Sequence, residues 1–383
     1  VFTPEELRIP VRGAARRRAD IDLLHRFATS VQERSRRMAG FPVNLEFDYG
    51  PLAPFLSMHL NNAGSPGQAS EYGLDTKPFE QAVTAFFIEL AGGLPGEVFG
   101  HLAHGGTEAN LFAAFVARER YPDGVLFASQ EAHYSIPKIA RLLRVPHVAV
   151  DVDERGAMDL TALGHEIGSR GVPAIVVATI GTTSRSAVDD IPGIRRAASA
   201  AGVDDVFVHS DAAFGGPLAE YGQPRRPWSF PDGADSVSIS GHKIIGSPLP
   251  SSAILVREVD ADAIRRPGVA VGSDDDTIGG SRDALSPLLL WYALRELGRD
   301  GLAGRVRHCL EVTEHAVRRL AEAGLNPTRF PGGNVVLFDR PDEEVMSAWH
   351  LLDVDGRAHL SVMPHVTTDL VDQLCADLTG GRA

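Results

Sequence analysis

Lysine is rare in this chain. Of its 37 Lys and Arg side chains only Lys77, Lys138 and Lys243 are lysine, and Lys243 follows the short apolar run that begins at Ser236. Arginine keeps its proton in any protein environment, whereas a desolvated lysine presents a neutral amine that can condense with an aldehyde. Flanked by Gly241, His242 and Gly246, Lys243 is a candidate nucleophile; a surface lysine after a strand is the plainer reading. Gly105, Gly106 and Thr107, followed by Glu108, Ala109 and Asn110, precede an apolar helical pattern. Two glycines let a ligand approach the backbone, and first-turn N–H groups with the Thr107 hydroxyl suit a phosphate. An ordinary capped turn has the same composition, and neither a P-loop nor a dinucleotide fingerprint is present. His133 lies beyond the apolar run Val125–Ala128, where an imidazole can cover a flat ligand or cap a helix. Asp211 ends the run that starts at Val206. A buried acid there needs a cationic partner, and Ala212 and Ala213 leave room for a planar one; a turn-capping carboxylate is the alternative.

The elements that must position these groups alternate. Strand-like runs at Val125–Ala128, Val145–Val150, Ala174–Ile180, Val206–His209, Ser236–Ile239 and Ala253–Val256 are separated mostly by helical patterns. Such alternation predicts a mostly parallel sheet covered on both faces, with ligands beyond the carboxyl ends of its strands. Residues 1–44 read as an N-terminal helical arm, 45–300 as a large α/β domain and 301–383 as a smaller C-terminal α/β domain. Between Phe41 and Gly67 the chain is rich in Pro, Gly and Asn, a loop passage of the kind that carries function.

A net charge of -13 argues against a nucleic-acid partner, which requires a basic face. No apolar run approaches the roughly 20 residues that span a bilayer. Two cysteines, Cys309 and Cys375, make no disulfide framework, so a cytoplasmic location is expected.

Taken together, a phosphate cradle, an aromatic lid, an acid for a pyridine nitrogen and an imine-forming lysine are the parts of a pyridoxal 5'-phosphate site. The chain resembles the bacterial histidine decarboxylases and plant serine decarboxylases of the pyridoxal-phosphate-dependent group II amino-acid decarboxylases. The likeness runs from about Phe41 onward and is carried by His59 to Asn62, Gly105 to Asn110, His133 to Arg141, Ile180 to Thr183, His209 to Ala213, Ser240 to Lys243, Gly280 to Arg282 and Val362 to Thr367. The resemblance implies a type I pyridoxal-phosphate (aspartate-aminotransferase-like) fold, a homodimer with shared sites and decarboxylation of a histidine-like L-amino acid. It also implies roles. Lys243 would hold the cofactor covalently, Asp211 would pair with the ring nitrogen, and His133 and Ala213 would cover the ring's faces. Gly105, Gly106, Thr107, Ser240 and His242 would hold the phosphate, with Ser281 reaching in from the other subunit. Asn62, His101, His104 and Ser252 would lie beside the substrate. No metal is expected.

Departures from the family pattern cluster in that last group. His101 and His104 stand where relatives carry a phenol and an amide, Ala270 replaces a tyrosine, and Ser251 and Ser252 follow Pro250 where Cys-Gly is usual. Such changes leave open another substrate (serine, valine or a specialised amino acid), a different outcome such as transamination or oxidative deamination, or a silent binding protein.

Overall fold

A computed structural model describes residues 2–13, 18–268 and 271–380. Ala270, and the Arg16–Arg17 part of the arm, lie outside them. The first helix, α1 (Arg18–Ser35), buries none of its side chains. After the Pro-rich passage come α2 (Lys77–Leu90), β1 (Val98–Ala103), α3 (Gly106–Arg120), β2 (Val125–Ser129), α4 (Ser135–Leu143), β3 (His147–Val150), α5 (Leu160–Arg170) and β4 (Ala174–Thr179). The large unit continues through α6 (Ile191–Ala200), β5 (Val206–Asp211), α7 (Gly216–Tyr221), β6 (Ser236–Ser240), β7 (Ser252–Arg257) and α8 (Glu258–Ala261). Then α9 (Leu285–Glu322) leads into β8 (Val335–Asp339), α10 (Glu343–Ala348), β9 (Leu352–Val354), β10 (Arg357–Ser361) and α11 (Thr368–Gly380).

Seven strands form one sheet in the order β1-β7-β6-β5-β4-β2-β3. Only β7 runs against its neighbours, so the carboxyl ends of the other six point to one edge. Alternation along the strands feeds two cores. Leu126, Ala128, Ile175, Val177 and Phe207 meet Phe112, Val116, Ile136 and Ile139 of α3 and α4. Their neighbours Val125, Phe127, Val176 and Val208 face Val83, Phe87, Leu163, Ile167 and Ile194 on the other side. This is the fully covered parallel sheet that continuous apolar runs demand.

The smaller sheet, β8-β10-β9, is antiparallel. Helix α9 carries one non-helical residue, Gly298 (φ 59, ψ -170), and its distal half packs with α11 and β8. No helix among the described residues is long and apolar enough to cross a membrane.

Candidate active site

Five strand ends converge on one cavity of about 250 Å³, lined among others by His104 to Thr107 after β1, His133 after β2, Thr179 at the end of β4, Asp211 of β5, and Ser240 to Lys243 after β6. Lys243 lies in a single wide turn, Gly241–Ile245. Asn44 Nδ2 donates to Ile244 O at 2.9 Å, Tyr49 OH to Gly246 O at 2.8 Å, and Arg305 to Ile245 O. A Cβ at Gly241 would stand 2.4 Å from Leu290 Cδ2 and 2.8 Å from Ser251 Oγ, so a larger residue there would push both buried side chains aside. The amine ends 5.5 Å from the Phe214 ring centroid. Burial pushes its pKa down, with Asp211 opposing, and that direction favours the neutral nucleophile.

Asp211 is held on both oxygens. Asn110 Nδ2 donates to Oδ2 at 2.7 Å and Ala213 N to Oδ1 at 3.3 Å, with Ser238 Oγ 3.4 Å from Oδ1. His133 accepts at Nδ1 from Ser135 Oγ (2.7 Å) and Ser135 N (3.3 Å), which fixes the ring and leaves its proton on Nε2. Burial lowers its pKa, Asp211 opposes, and Lys243 and Lys138 add to the lowering. Burial likewise lowers His242, whose Nδ1 lies 3.0 Å from Ser251 O.

The phosphate end has a matching chemistry. Helix α3 begins at Gly106 with no side chain capping its first turn, so its leading N–H groups are free for an anion. The Ser240 hydroxyl is buried without a partner. A Cβ on Gly106 would come 3.4 Å from Ala213 Cβ and 3.5 Å from Ser240 Oγ, directly narrowing the cradle. At the other end the Thr179 hydroxyl, also buried and unpartnered, faces the same cavity. An anion donor set at one end, an acid at the other and flat walls between them fit pyridoxal phosphate.

Three residues expected beside a substrate do not line this cavity. His101 is fully buried behind the cavity, its ring edge-on to Phe112 at 4.6 Å. The amide of Asn62 is locked to Glu80 Oε2 (2.9 Å) and Thr76 N (2.7 Å). Ser252 is buried in β7, its hydroxyl 3.5 Å from Ala253 O. In each case the side chain serves the packing or a buried polar clamp. His104 does line the cavity, with Nδ1 2.8 Å from Glu108 Oε2 and Nε2 accepting from Asp283 N at 3.3 Å. Ser281 lies outside its own chain's cavity and accepts from Asn61 Nδ2 at 3.1 Å. Sequence reasoning missed the parts played by Asn110 and Thr179. Asn110 was marked only by its place one helical turn beyond Gly106, and Thr179 only by ending a buried strand. Among the described residues no three His, Cys, Asp or Glu are grouped as metal ligands would be.

Residues 97–325 match the pyridoxal-dependent decarboxylase conserved domain. A histidine decarboxylase of Mesorhizobium japonicum is 35% identical over 90% of this chain and 94% of its own length. Serine decarboxylase 3 of Oryza sativa is 35% identical over 92% of this chain and 80% of its own. Among solved structures, L-methionine decarboxylase from Streptomyces sp.590 superimposes with a TM-score of 0.89 at 22% identity, covering 99% of this chain and 98% of that one. The fold is thus the type I pyridoxal-phosphate fold. The chain belongs to the pyridoxal-dependent decarboxylases: its cofactor is pyridoxal phosphate and its reaction class is that of the amino-acid carboxy-lyases.

Proposed function

We propose that this enzyme decarboxylates an L-amino acid with a neutral side chain, histidine first and serine second, as a homodimer with shared sites. The observation that carries the substrate class is the cavity lining. Among the described residues it contains no arginine, and its only lysine is Lys243, so nothing there would neutralise an acidic substrate side chain. Its one carboxylate, Asp211, accepts from Asn110 Nδ2 and Ala213 N and is assigned to the cofactor, so nothing would pair with a cationic one. The same lining favours loss of carbon dioxide over transamination. A substrate carboxylate held without a guanidinium has no ion pair to give up as it leaves.

Bound pyridoxal phosphate supplies an electron sink for the pair released when the carboxylate departs. The chain's own residues do the rest. Lys243 would hold the cofactor, Asp211 would keep a proton on the ring nitrogen, and His133 and Ala213 would close the two faces. Gly106, Thr107, Ser240 and His242 would hold the phosphate, and the Lys243 amine would be placed to move a proton at Cα.

A cavity of about 250 Å³ is below the roughly 300–1,000 Å³ usual for small-molecule sites. That supports closure of the substrate side by a second chain, as does the place of Ser281 outside its own cavity. Both cysteines are buried free thiols, in keeping with a reducing cytoplasm.

Cofactor-loaded protein incubated with single amino acids should release carbon dioxide and the matching amine fastest from L-histidine. Release from glutamate or lysine in preference to every neutral amino acid would overturn the substrate class, and a keto acid in place of the amine would overturn the reaction.

A further inference from the structure

From Asp211 and Asn110 in the cavity wall a buried polar relay runs to Ser236. Ser236 Oγ lies 2.8 Å from His209 Nδ1, and His209 Nε2 lies 3.0 Å from Asn110 Oδ1. Asn110 Oδ1 also accepts from Ser238 Oγ at 2.9 Å, and Asn110 Nδ2 donates to Asp211 Oδ2 at 2.7 Å. All five side chains are 0–5% exposed.

The relay has one consistent polarity. A neutral imidazole carries one proton, and burial pushes His209 down to about 4, so it is neutral near pH 7. Asn110 Oδ1 cannot donate, so the proton sits on Nε2 and Nδ1 accepts from Ser236. Turning the Asn110 amide over would set its oxygen 2.7 Å from an Asp211 carboxylate oxygen, a repulsive contact in a buried site that neither tautomer of His209 relieves. The donors therefore all point toward Asp211.

We propose that Asn110, locked in one orientation by His209 and Ser238, is a positioning residue that keeps the cofactor's ring nitrogen protonated through Asp211. Its N–H disperses the carboxylate's charge, so the proton shared between carboxylate and ring stays on the ring. Helix α3 thereby serves both ends of the cofactor, with Gly106 at the phosphate and Asn110, one turn on, at the acid. The inference rests on the cofactor reading above.

The test uses pyridoxal phosphate labelled with nitrogen-15 in its ring, bound to full-length wild type and variants. Ring-nitrogen NMR shift, kcat and KM with L-histidine, and thermal melting are recorded together. Asn110→Ala and His209→Leu should move the ring signal toward its unprotonated position and lower kcat on the order of 10- to 100-fold, the worth of one hydrogen bond to a charged group. KM should stay within about twofold. His209→Gln, which keeps a donor for Asn110, should recover most of both; a merely structural role would not separate Gln from Leu in the ring signal. Should Asn110→Ala fail to fold, Ser238→Ala removes one of the two donors on Asn110 and should give a smaller shift in the same direction. Ring signals and kcat matching wild type in these variants would overturn the relay alone. Wild type that takes up no cofactor would overturn the cofactor reading and the relay with it.

Discussion

Two buried groups outside the cavity pull in opposite directions as pH falls. Burial pushes His209 from its ordinary 6.5 down to about 4. The unfolded chain therefore binds a proton that the folded one refuses, and stability is lost as pH drops from 6.5 to 4. Burial pushes Asp189 from 3.8 up to about 7, against the two backbone N–H groups, Met158 and Thr179, that donate to it. There the folded state takes its proton first, so stability is gained as pH drops from 7 to 3.8. Each effect is on the order of 3 kcal/mol, and they largely offset. Asp189→Asn should make the melting temperature fall more steeply between pH 7 and 5 than in wild type, and His209→Gln less steeply; parallel slopes in all three would contradict the assignment. At this scale the sequence was legible where chemistry needs a strand's carboxyl end, as at Lys243, Asp211 and His133. It was not legible where a side chain's direction decides. His101 and Ser252 lie within strands whose pleat turns them into packing, and Asn62 sits in a loop whose polar clamp has partners far along the chain.

Apolar runs identified most strands because a parallel sheet buried on both faces needs them. Strand β1 escaped because Gly100 and His101 interrupt its apolar run. A Cβ at Gly100 would stand 2.6 Å from Thr84 Cγ2 of α2, so a larger residue there would push that helix side chain aside. Gly298 breaks α9 into two helices (φ 59, ψ -170), close to residue 300, where the sequence divides the large domain from the small one. Helix α2 is held to the 271–284 segment by an ion pair that composition could not reveal. Glu80 and Arg282, 0% and 1% exposed in their side chains, form a salt bridge. Glu80 Oε1 also accepts from Leu102 N at 2.9 Å, and Arg282 Nη2 donates to Gly64 O at 3.2 Å. Breaking such a pair leaves one charge buried alone. Arg282→Met should cost about 3–5 kcal/mol in denaturant unfolding, and adding Glu80→Gln should recover a substantial part. A single variant as stable as wild type would show that the clamp contributes nothing net.

For the whole molecule, surface left uncovered matters as much as the core. Ile21, Leu24, Phe27 and Val31 of α1 are 40–57% exposed, an apolar face met edge-on by Phe2 at Phe27 (5.6 Å). The segment after α1 is tied to the small domain: His365 Nε2 reaches Met38 O at 2.8 Å, and His359 Nδ1 reaches Gly40 O at 3.0 Å. The other ring nitrogen of His359 meets Thr183 O at 2.8 Å, so arm, small domain and cavity wall are joined at one imidazole. In the proposed dimer this face is covered by the partner. Leu24→Asp with Phe27→Asp should shift the protein toward monomer in sedimentation and lower activity with it; an unchanged dimer would place the interface elsewhere.

The proposed covalent capture of the cofactor by Lys243 underlies every other assignment. Borohydride reduction of the loaded enzyme followed by peptide mass analysis should find the pyridoxal-phosphate adduct on the peptide containing Lys243, and none in Lys243→Ala. An adduct on Lys77 or Lys138 instead, or an unmodified Lys243 in protein that has retained its cofactor, would contradict the account.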